Sequence, residues 1–439
     1  MKKMLIAAVL TAIAGTAAAG IAGRWTGKLS VGLYRVPLVL NFSEHGCTMD
    51  SPSQGVTGLP ATVEACTDDS VAITCASIGM SYRAKVRQGV MRGKFTQHGV
   101  TFPLEMRPDA PETERRPQTP RPPYPYATTD TIFASVDGTR LGGTMALPDG
   151  ARTMVVFVTG SGPQNRDEEL FGHKPFAVIA DKLARNGVAS LRYDDRGTGQ
   201  SEGDFASSTI YTFRDDAQAA IETARSIPGI ERVGIIGHSE GGTIAFMIAA
   251  DSAADFAVSL AGMAIPAKEL LLWQNERALD KAGIRGKAKD QSMALIEKMF
   301  DGMANRQHLN PDSLTASGQY DAVPKAVVES VRKNCTSRSP WLDCFVSLDP
   351  TPWLENVSCP LLAINGTKDT QVEAESNLAG IAARVPHAKI MSMAGLNHLM
   401  QRAETGETDE YGEIRETIAP EVLDAIVEFC RLPSESGVE

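Results

Sequence analysis

The pentapeptide Gly237-His238-Ser239-Glu240-Gly241 fits the pattern Gly-x-Ser-x-Gly. It directly follows the apolar run 233–236 and directly precedes a helical run at 243–250. A strand, a sharp turn and a helix form the setting in which this pattern presents a nucleophilic serine. The glycines are needed because a tight turn with a strained serine backbone leaves no space for neighbouring Cβ atoms. A serine hydroxyl attacks poorly until a base takes its proton. His398, in Gly395-Leu396-Asn397-His398, follows the β-prone run 389–393 and is the expected base. His387 precedes that run and belongs at its opposite end, and His238 is expected to face away from the serine. His173, ahead of a helix after the third strand of the sheet, is the serious competitor. Asp369, in Gly366-Thr367-Lys368-Asp369 after the run 361–364, is the carboxylate expected to fix the imidazole tautomer and offset its charge. Glu373 and Glu375 are fallback acids.

Attack by a serine on a carbonyl also requires donors for the developing oxyanion. One expected donor is the backbone N–H of Glu240; the other lies in Thr159-Gly160-Ser161-Gly162-Pro163, with Ser161 preferred over Gly162. Small residues at Gly160 and Gly162 let a substrate carbonyl approach. The loop continues Arg166-Asp167-Glu168, so Arg166 either touches a polar substrate or ties the loop down by pairing with Asp167. The segment Asp195-Arg196-Gly197-Thr198-Gly199-Gln200-Ser201 lacks the Walker spacing and the full dinucleotide glycine pattern, and reads as a structural turn. With no Cys-x-x-Cys and no His-Glu-x-x-His string, neither a metal site nor a cofactor is expected.

These residues need a scaffold that brings the ends of several strands together. Apolar runs at 154–158, 189–193, 233–236, 256–260, 361–364 and 389–393 alternate with helical patterns at 175–185, 213–227, 243–250 and 421–429. That alternation predicts a parallel sheet with right-handed crossovers. A hairpin around Asp137-Gly138 adds two strands. The expectation is an α/β fold with a sheet of eight strands, mostly parallel, over residues 129–439, with a helical lid inserted at 263–358. Residues 20–108 read as a separate small all-β domain of short runs punctuated by Gly, Ser, Asp and Asn. A proline-rich linker is expected at 109–128.

Residues 1–19 read as a signal peptide, with Lys2 and Lys3 before an apolar stretch and Ala17-Ala18-Ala19 before the cleavage point. The mature protein is therefore expected in the periplasm or outside the cell, without stable membrane insertion. The net charge of −10 disfavours nucleic acid as a partner. Seven cysteines leave at least one unpaired, while Cys335 with Cys344, or Cys66 with Cys75, have spacings that permit disulfides.

Taken together, Gly160-Ser161-Gly162-Pro163, Asp195-Arg196-Gly197, Gly237-His238-Ser239-Glu240-Gly241-Gly242 and Asn397-His398 resemble bacterial α/β-hydrolase esterases of the serine-aminopeptidase-like group. More narrowly, the chain is similar to carboxylesterases that carry an extra N-terminal β-rich domain. Its Gly23-Arg24-Trp25 opening resembles the first strand of lipocalin-like barrels. The resemblance implies triad roles for Ser239, Asp369 and His398 and a small-molecule ester as substrate. An exported serine peptidase and a non-catalytic binding protein on a hydrolase scaffold stay open. No pair of carboxylates suited to holding a substrate amine is identifiable in the sequence.

Overall fold

A computed structural model describes residues 21–31, 34–43, 46–51, 56–109, 116–307, 310–312 and 318–431. The signal-peptide reading at 1–19 lies outside the described residues. The chain forms two compact units divided between Pro117 and Gln118.

The first unit is a closed antiparallel barrel in which each strand pairs with the next: β1 (Gly23–Val31), β2 (Tyr34–Ser43), β3 (Gly46–Ser51), β4 (Val56–Thr67), β5 (Ser70–Cys75), β6 (Met80–Arg87), β7 (Val90–Gln97) and β8 (Val100–Pro108). Pairing of β1 with β8 closes it. Its interior is filled by side chains such as Trp25, Phe42, Tyr82, Met91 and Phe95. Two polar tips inside find backbone acceptors: Trp25 Nε1 donates to the Ile21 carbonyl at 2.9 Å and Tyr82 Oη to that of Leu104 at 3.2 Å. In the sequence, short β-prone runs at 25–31, 36–42, 71–75, 81–86, 91–96 and 100–106 mark six of these strands, and β3 and β4 have none. Gly58 and Pro60 within β4 imitate loop punctuation, and a register shift between Val63 and Ala65 breaks its alternation.

The second unit carries the expected mixed eight-stranded sheet. Its strands are β9 (Ala127–Ala134), β10 (Arg140–Leu147), β11 (Thr153–Val158), β12 (Ala189–Tyr193), β13 (Arg232–His238), β14 (Phe256–Leu260), β15 (Leu361–Gly366) and β16 (Lys389–Met393). They lie in the order β16-β15-β14-β13-β11-β12-β10-β9. β10 runs antiparallel to β9 and β12, and the six strands from β11 to β16 are mutually parallel. Because the parallel strands are covered on both faces, β13, β14 and β15 are almost wholly buried. Two clusters make the core, one around Val156, Leu191 and Phe246 and the other around Phe157, Phe176 and Ile426.

The crossover helices are α1 (Pro175–Ala184), α2 (Ile210–Arg225) and α3 (Glu240–Ala250). Inserted between β14 and β15 come α4 (Ala267–Lys281), α5 (Lys287–Ala304), α6 (Lys325–Thr336), α7 (Pro340–Phe345) and α8 (Thr351–Leu354). Then follow α9 (Ala374–Arg384) and α10 (Pro420–Arg431). α3 is buried from Glu240 to Ala249 on every face, as a helix apolar all round must be. The sequence reading overlooked α9 because its inward stripe holds Ala374 and Asn377 beside Leu378 and Ile381. Asn377 is buried there and its Oδ1 accepts the Ala264 N–H at 2.7 Å.

The proline-rich segment is anchored where the second unit begins: Gln118 accepts from the Thr417 and Ile418 N–H groups and donates to the Ile418 carbonyl. Tyr126 Oη donates to Asp181 at 2.7 Å. All seven cysteines are free thiols. Cys66 stands opposite Val71, whereas Cys75 lies beyond the Thr62–Thr74 pair, so these two occupy opposite ends of one ladder.

Candidate active site

Ser239 sits between the end of β13 and the start of α3 with φ +54° and ψ −117°, a strained backbone for a residue with a Cβ. The flanking glycines make the turn possible. A Cβ on Gly237 would lie 1.9 Å from the Gly241 carbonyl oxygen, and one on Gly241 would lie 2.1 Å from that of Val158. The turn is anchored by the Ser239 N–H donating to the Leu260 carbonyl at 2.8 Å. Ser239 is half-buried, at the N-terminus of α3, where the helix dipole favours negative charge.

His398 is buried on a compact loop after β16. Asn397 builds that loop: its Oδ1 accepts from the Leu399 and Gln401 N–H groups, each at 3.0 Å. His398 Nδ1 lies 2.8 Å from Asp369 Oδ2. The other oxygen, Asp369 Oδ1, accepts the Gln371 and Val372 N–H groups, both at 2.8 Å. The carboxylate is thus fixed on both sides, with no side-chain exposure. No hydrogen bond joins Ser239 Oγ to His398 Nε2 among the described residues, a looseness common in catalytic sites without substrate.

The loop after β11 faces the elbow. A Cβ on Gly160 would sit 3.2 Å from Ser239 Cβ, so a glycine is what allows this approach. The Gly160 N–H is taken by Glu168 Oε1 at 2.7 Å. The N–H of Glu240 is at the first position of α3, where no intrahelical acceptor exists. Neither it nor the Ser161 N–H has an acceptor among the described residues. Ser161 is exposed and Gly162 adopts φ +94°. A cavity of about 10 Å³ bounded by Gly160, Gly162, Asp195 and Glu240 has the volume of one water, not of an acyl chain.

Arg166 does not present itself to a substrate. Nε donates to Asp194, Nη1 to Asp130 and Thr144, and Nη2 to Asp194 and Gln200. Those five hydrogen bonds use every N–H of the guanidinium. It does tie the loop down, but through Asp194; Asp167 pairs with Arg192 and Lys174 instead.

Of the competing residues, His173 is buried between Thr417, the Tyr411 carbonyl and Gln401. His387 is exposed, against the Cys359 carbonyl. Glu373 caps α9 through the Ser376 N–H. His238 proves more than a bystander: it is buried, its ring centroid is 4.7 Å from that of His398, and its Nε2 lies 3.0 Å from the His398 carbonyl oxygen.

Sequence reasoning missed four residues. Asp195, assigned to a mere turn, accepts from Thr159 Oγ1 and the Gln164 N–H and so shapes the loop after β11. Burial pushes its carboxyl up to about 8, with Glu168 and Glu240 adding repulsion. Glu168 and Asp194 looked like loop charges, yet both are buried. The signal for Asp194 and Asp195 was two carboxylates at the carboxyl end of a buried strand. Trp341, from α7, had no signal at all; its Nε1 donates to Glu240 Oε1 at 2.7 Å. Burial raises the Glu240 carboxyl above its ordinary value, opposed by the hydrogen bond from Trp341.

Comparison with known proteins follows the same lines. Esterase EstD of Thermotoga maritima is 27% identical over 273 residues, 61% of this chain and 60% of that protein, so the match spans about three-fifths of the relative. Among solved structures, the Pyrococcus furiosus esterase Pf2001 aligns at 16% identity with TM-score 0.42, covering 69% of this chain and 91% of the other. Est1E of Butyrivibrio proteoclasticus, solved with ferulic acid bound, aligns at 14% identity with TM-score 0.40, covering 69% and 96%. Residues 173–403, more than half of the chain and the stretch holding the elbow, Asp369 and His398, match the family model for serine aminopeptidase, S33. With that match and its eight-stranded sheet, the chain belongs to the serine aminopeptidase (S33) family of α/β hydrolases.

Proposed function

We propose that this protein is a carboxylesterase that works through an acyl-enzyme on Ser239. The observation that carries the reading is the strained, glycine-flanked Ser239 turn at the end of β13, in the same unit as the buried Asp369–His398 pair at 2.8 Å. His398 takes the hydroxyl proton as Ser239 attacks the ester carbonyl. Asp369 holds the Nδ1–H tautomer and stabilises the imidazolium. The oxyanion is received by the free N–H groups of Glu240 and Ser161. His398 then protonates the departing alcohol, and water repeats the sequence on the acyl-enzyme.

Ester is preferred to peptide as substrate on electrostatic grounds. An aminopeptidase needs ionised carboxylates to hold the substrate amine. The carboxyls around the serine are buried and already engaged: Glu240 and Asp195, both raised above their ordinary values, by Trp341 and the Gln164 N–H, and Glu168 by the Gly160 N–H and His238. The name of the curated relative, an esterase, agrees with this preference. The helical insertion, reaching Glu240 through Trp341, is assigned the role of a lid. Export is proposed from residues 1–19, and a mature N-terminus at Gly20, read by terminal sequencing, is the expected result.

The test is turnover of p-nitrophenyl esters from acetyl to dodecanoyl beside aminoacyl p-nitroanilides. Ester hydrolysis with inert anilides is expected, lost by orders of magnitude in Ser239→Ala together with fluorophosphonate labelling. Anilide cleavage at comparable efficiency would make this a peptidase. Full activity in Ser239→Ala would remove the nucleophile assignment.

A further inference from the structure

Behind the candidate triad lies a second histidine–carboxylate pair. His238 Nδ1 is 2.9 Å from Glu168 Oε1, and His238 Nε2 is 3.0 Å from the carbonyl oxygen of His398. Both side chains are buried, Glu168 at 1% and His238 at 5% exposure. The same Glu168 oxygen accepts the Gly160 N–H at 2.7 Å. Three parts of the site therefore meet at this pair: the loop after β11 through Gly160, the elbow through His238, and the base loop through the His398 main chain.

The proton inventory of the pair is constrained. A carbonyl only accepts, so Nε2 must carry a hydrogen to reach His398. Glu168 Oε1 already accepts from Gly160 and approaches Nδ1 as well, which needs another proton between them. Two arrangements supply it, a neutral Glu168 donating to Nδ1 or an ionised Glu168 facing a doubly protonated His238, and the second suits an oxygen that also accepts the Gly160 N–H, because a carboxylate is the stronger acceptor for two donors. Burial alone would drive His238 toward neutrality, but Glu168 beside it outweighs burial, and the net direction is upward. The groups facing the pair do not offer an alternative partner. From α1 it meets Pro175, Phe176 and Ile179, and from the base loop Leu399 and Met400. The titratable groups nearby are His398, Asp369, Asp195 and Glu240.

We propose that Glu168 and His238 form a buried carboxylate–imidazolium pair that positions the reaction, holding the His398 loop and the Gly160 loop in register about Ser239. Neither touches substrate; both act through the groups they hold. The inference rests on the acyl-transfer reading above. A neutral isostere at Glu168 cannot replace it. A glutamine oxygen in the Oε1 position leaves the His238 charge unbalanced or strips Nε2 of its proton. A glutamine nitrogen there faces the Gly160 N–H donor to donor.

The experiment uses the full chain and the Glu168→Gln variant, with active sites counted by fluorophosphonate titration. The expected result is kcat per titrated site lower by about 10²-fold with KM within about threefold, the signature of misplaced groups rather than lost binding. In wild-type protein labelled with 15N-histidine, one imidazolium with both ring nitrogens protonated is expected to titrate above the ordinary histidine range and to survive in His398→Ala. Unchanged kcat per site in Glu168→Gln, or no histidine that titrates above that range, overturns the proposal. The spectrum needs no folded Glu168 variant. Failure of the esterase reading shows itself separately, as wild-type protein inert toward esters, while the spectrum still decides the state of the pair.

Discussion

Replacing Asp195 by asparagine should change how stability depends on pH. The carboxyl is buried, and its pKa is raised from 3.8 to about 8. A group whose folded pKa lies above its unfolded value keeps extra protons in the folded state. The stability it contributes is fully present below about pH 4 and is lost progressively as the pH climbs to about 8. At about 1.4 kcal/mol per unit, the whole window of ~4 units corresponds to about 6 kcal/mol, and the step from pH 6 to pH 8 to about 3 kcal/mol. Asparagine is a close copy of the protonated acid here. Its oxygen accepts the Gln164 N–H, and its amide donates to Thr159 Oγ1, a hydroxyl that either donates or accepts. Urea unfolding of wild type and Asp195→Asn, measured in steps from pH 5 to pH 9, should give curves that diverge with rising pH. The variant should gain on wild type by roughly 3 kcal/mol between pH 6 and pH 8. Parallel curves across that range would refute the argument, because they would mean that Asp195 ionises without a burial penalty.

Three further outcomes are expected. Arg166→Met leaves Asp194 buried without its ion pair and should cost about 3 kcal/mol in urea unfolding, with a loss of ester turnover as the loop after β11 loosens; a cost under half that would show the hub to be redundant. Asp369→Asn keeps the two backbone N–H groups that fix the side chain yet can present an amide to His398, so kcat should fall by about 10³–10⁴-fold with the circular dichroism spectrum unchanged. Gly241→Ala places a Cβ 2.1 Å from the Val158 carbonyl oxygen, so the elbow must shift; soluble protein with no fluorophosphonate labelling, or no folded protein at all, is the expected readout.

Local chemistry was legible in the sequence wherever it follows from residue type and short spacing. Gly237 and Gly241 announced a turn too tight for Cβ atoms, set between a buried strand and a buried helix. The alternation of apolar runs with helical patterns specified the mixed sheet, because strands covered on both faces must be apolar throughout. Six of the eight barrel strands were visible: β3 carries a glycine and β4 a glycine and a proline that mimic loops, and it is pairing with neighbouring strands that makes strands of them. Partnerships across long separations were invisible. Arg166 chose Asp194 over its neighbour Asp167, and Glu168 found His238 seventy positions away. Trp341 reached Glu240 from a helix one hundred and one positions on. Charge alone cannot disclose such choices, since a carboxylate in a loop looks the same whether water or a buried imidazole surrounds it. The sequence determined which groups are able to react and which segments become strands. The tertiary structure decided which charges are stripped of water, and therefore which of them hold the site together.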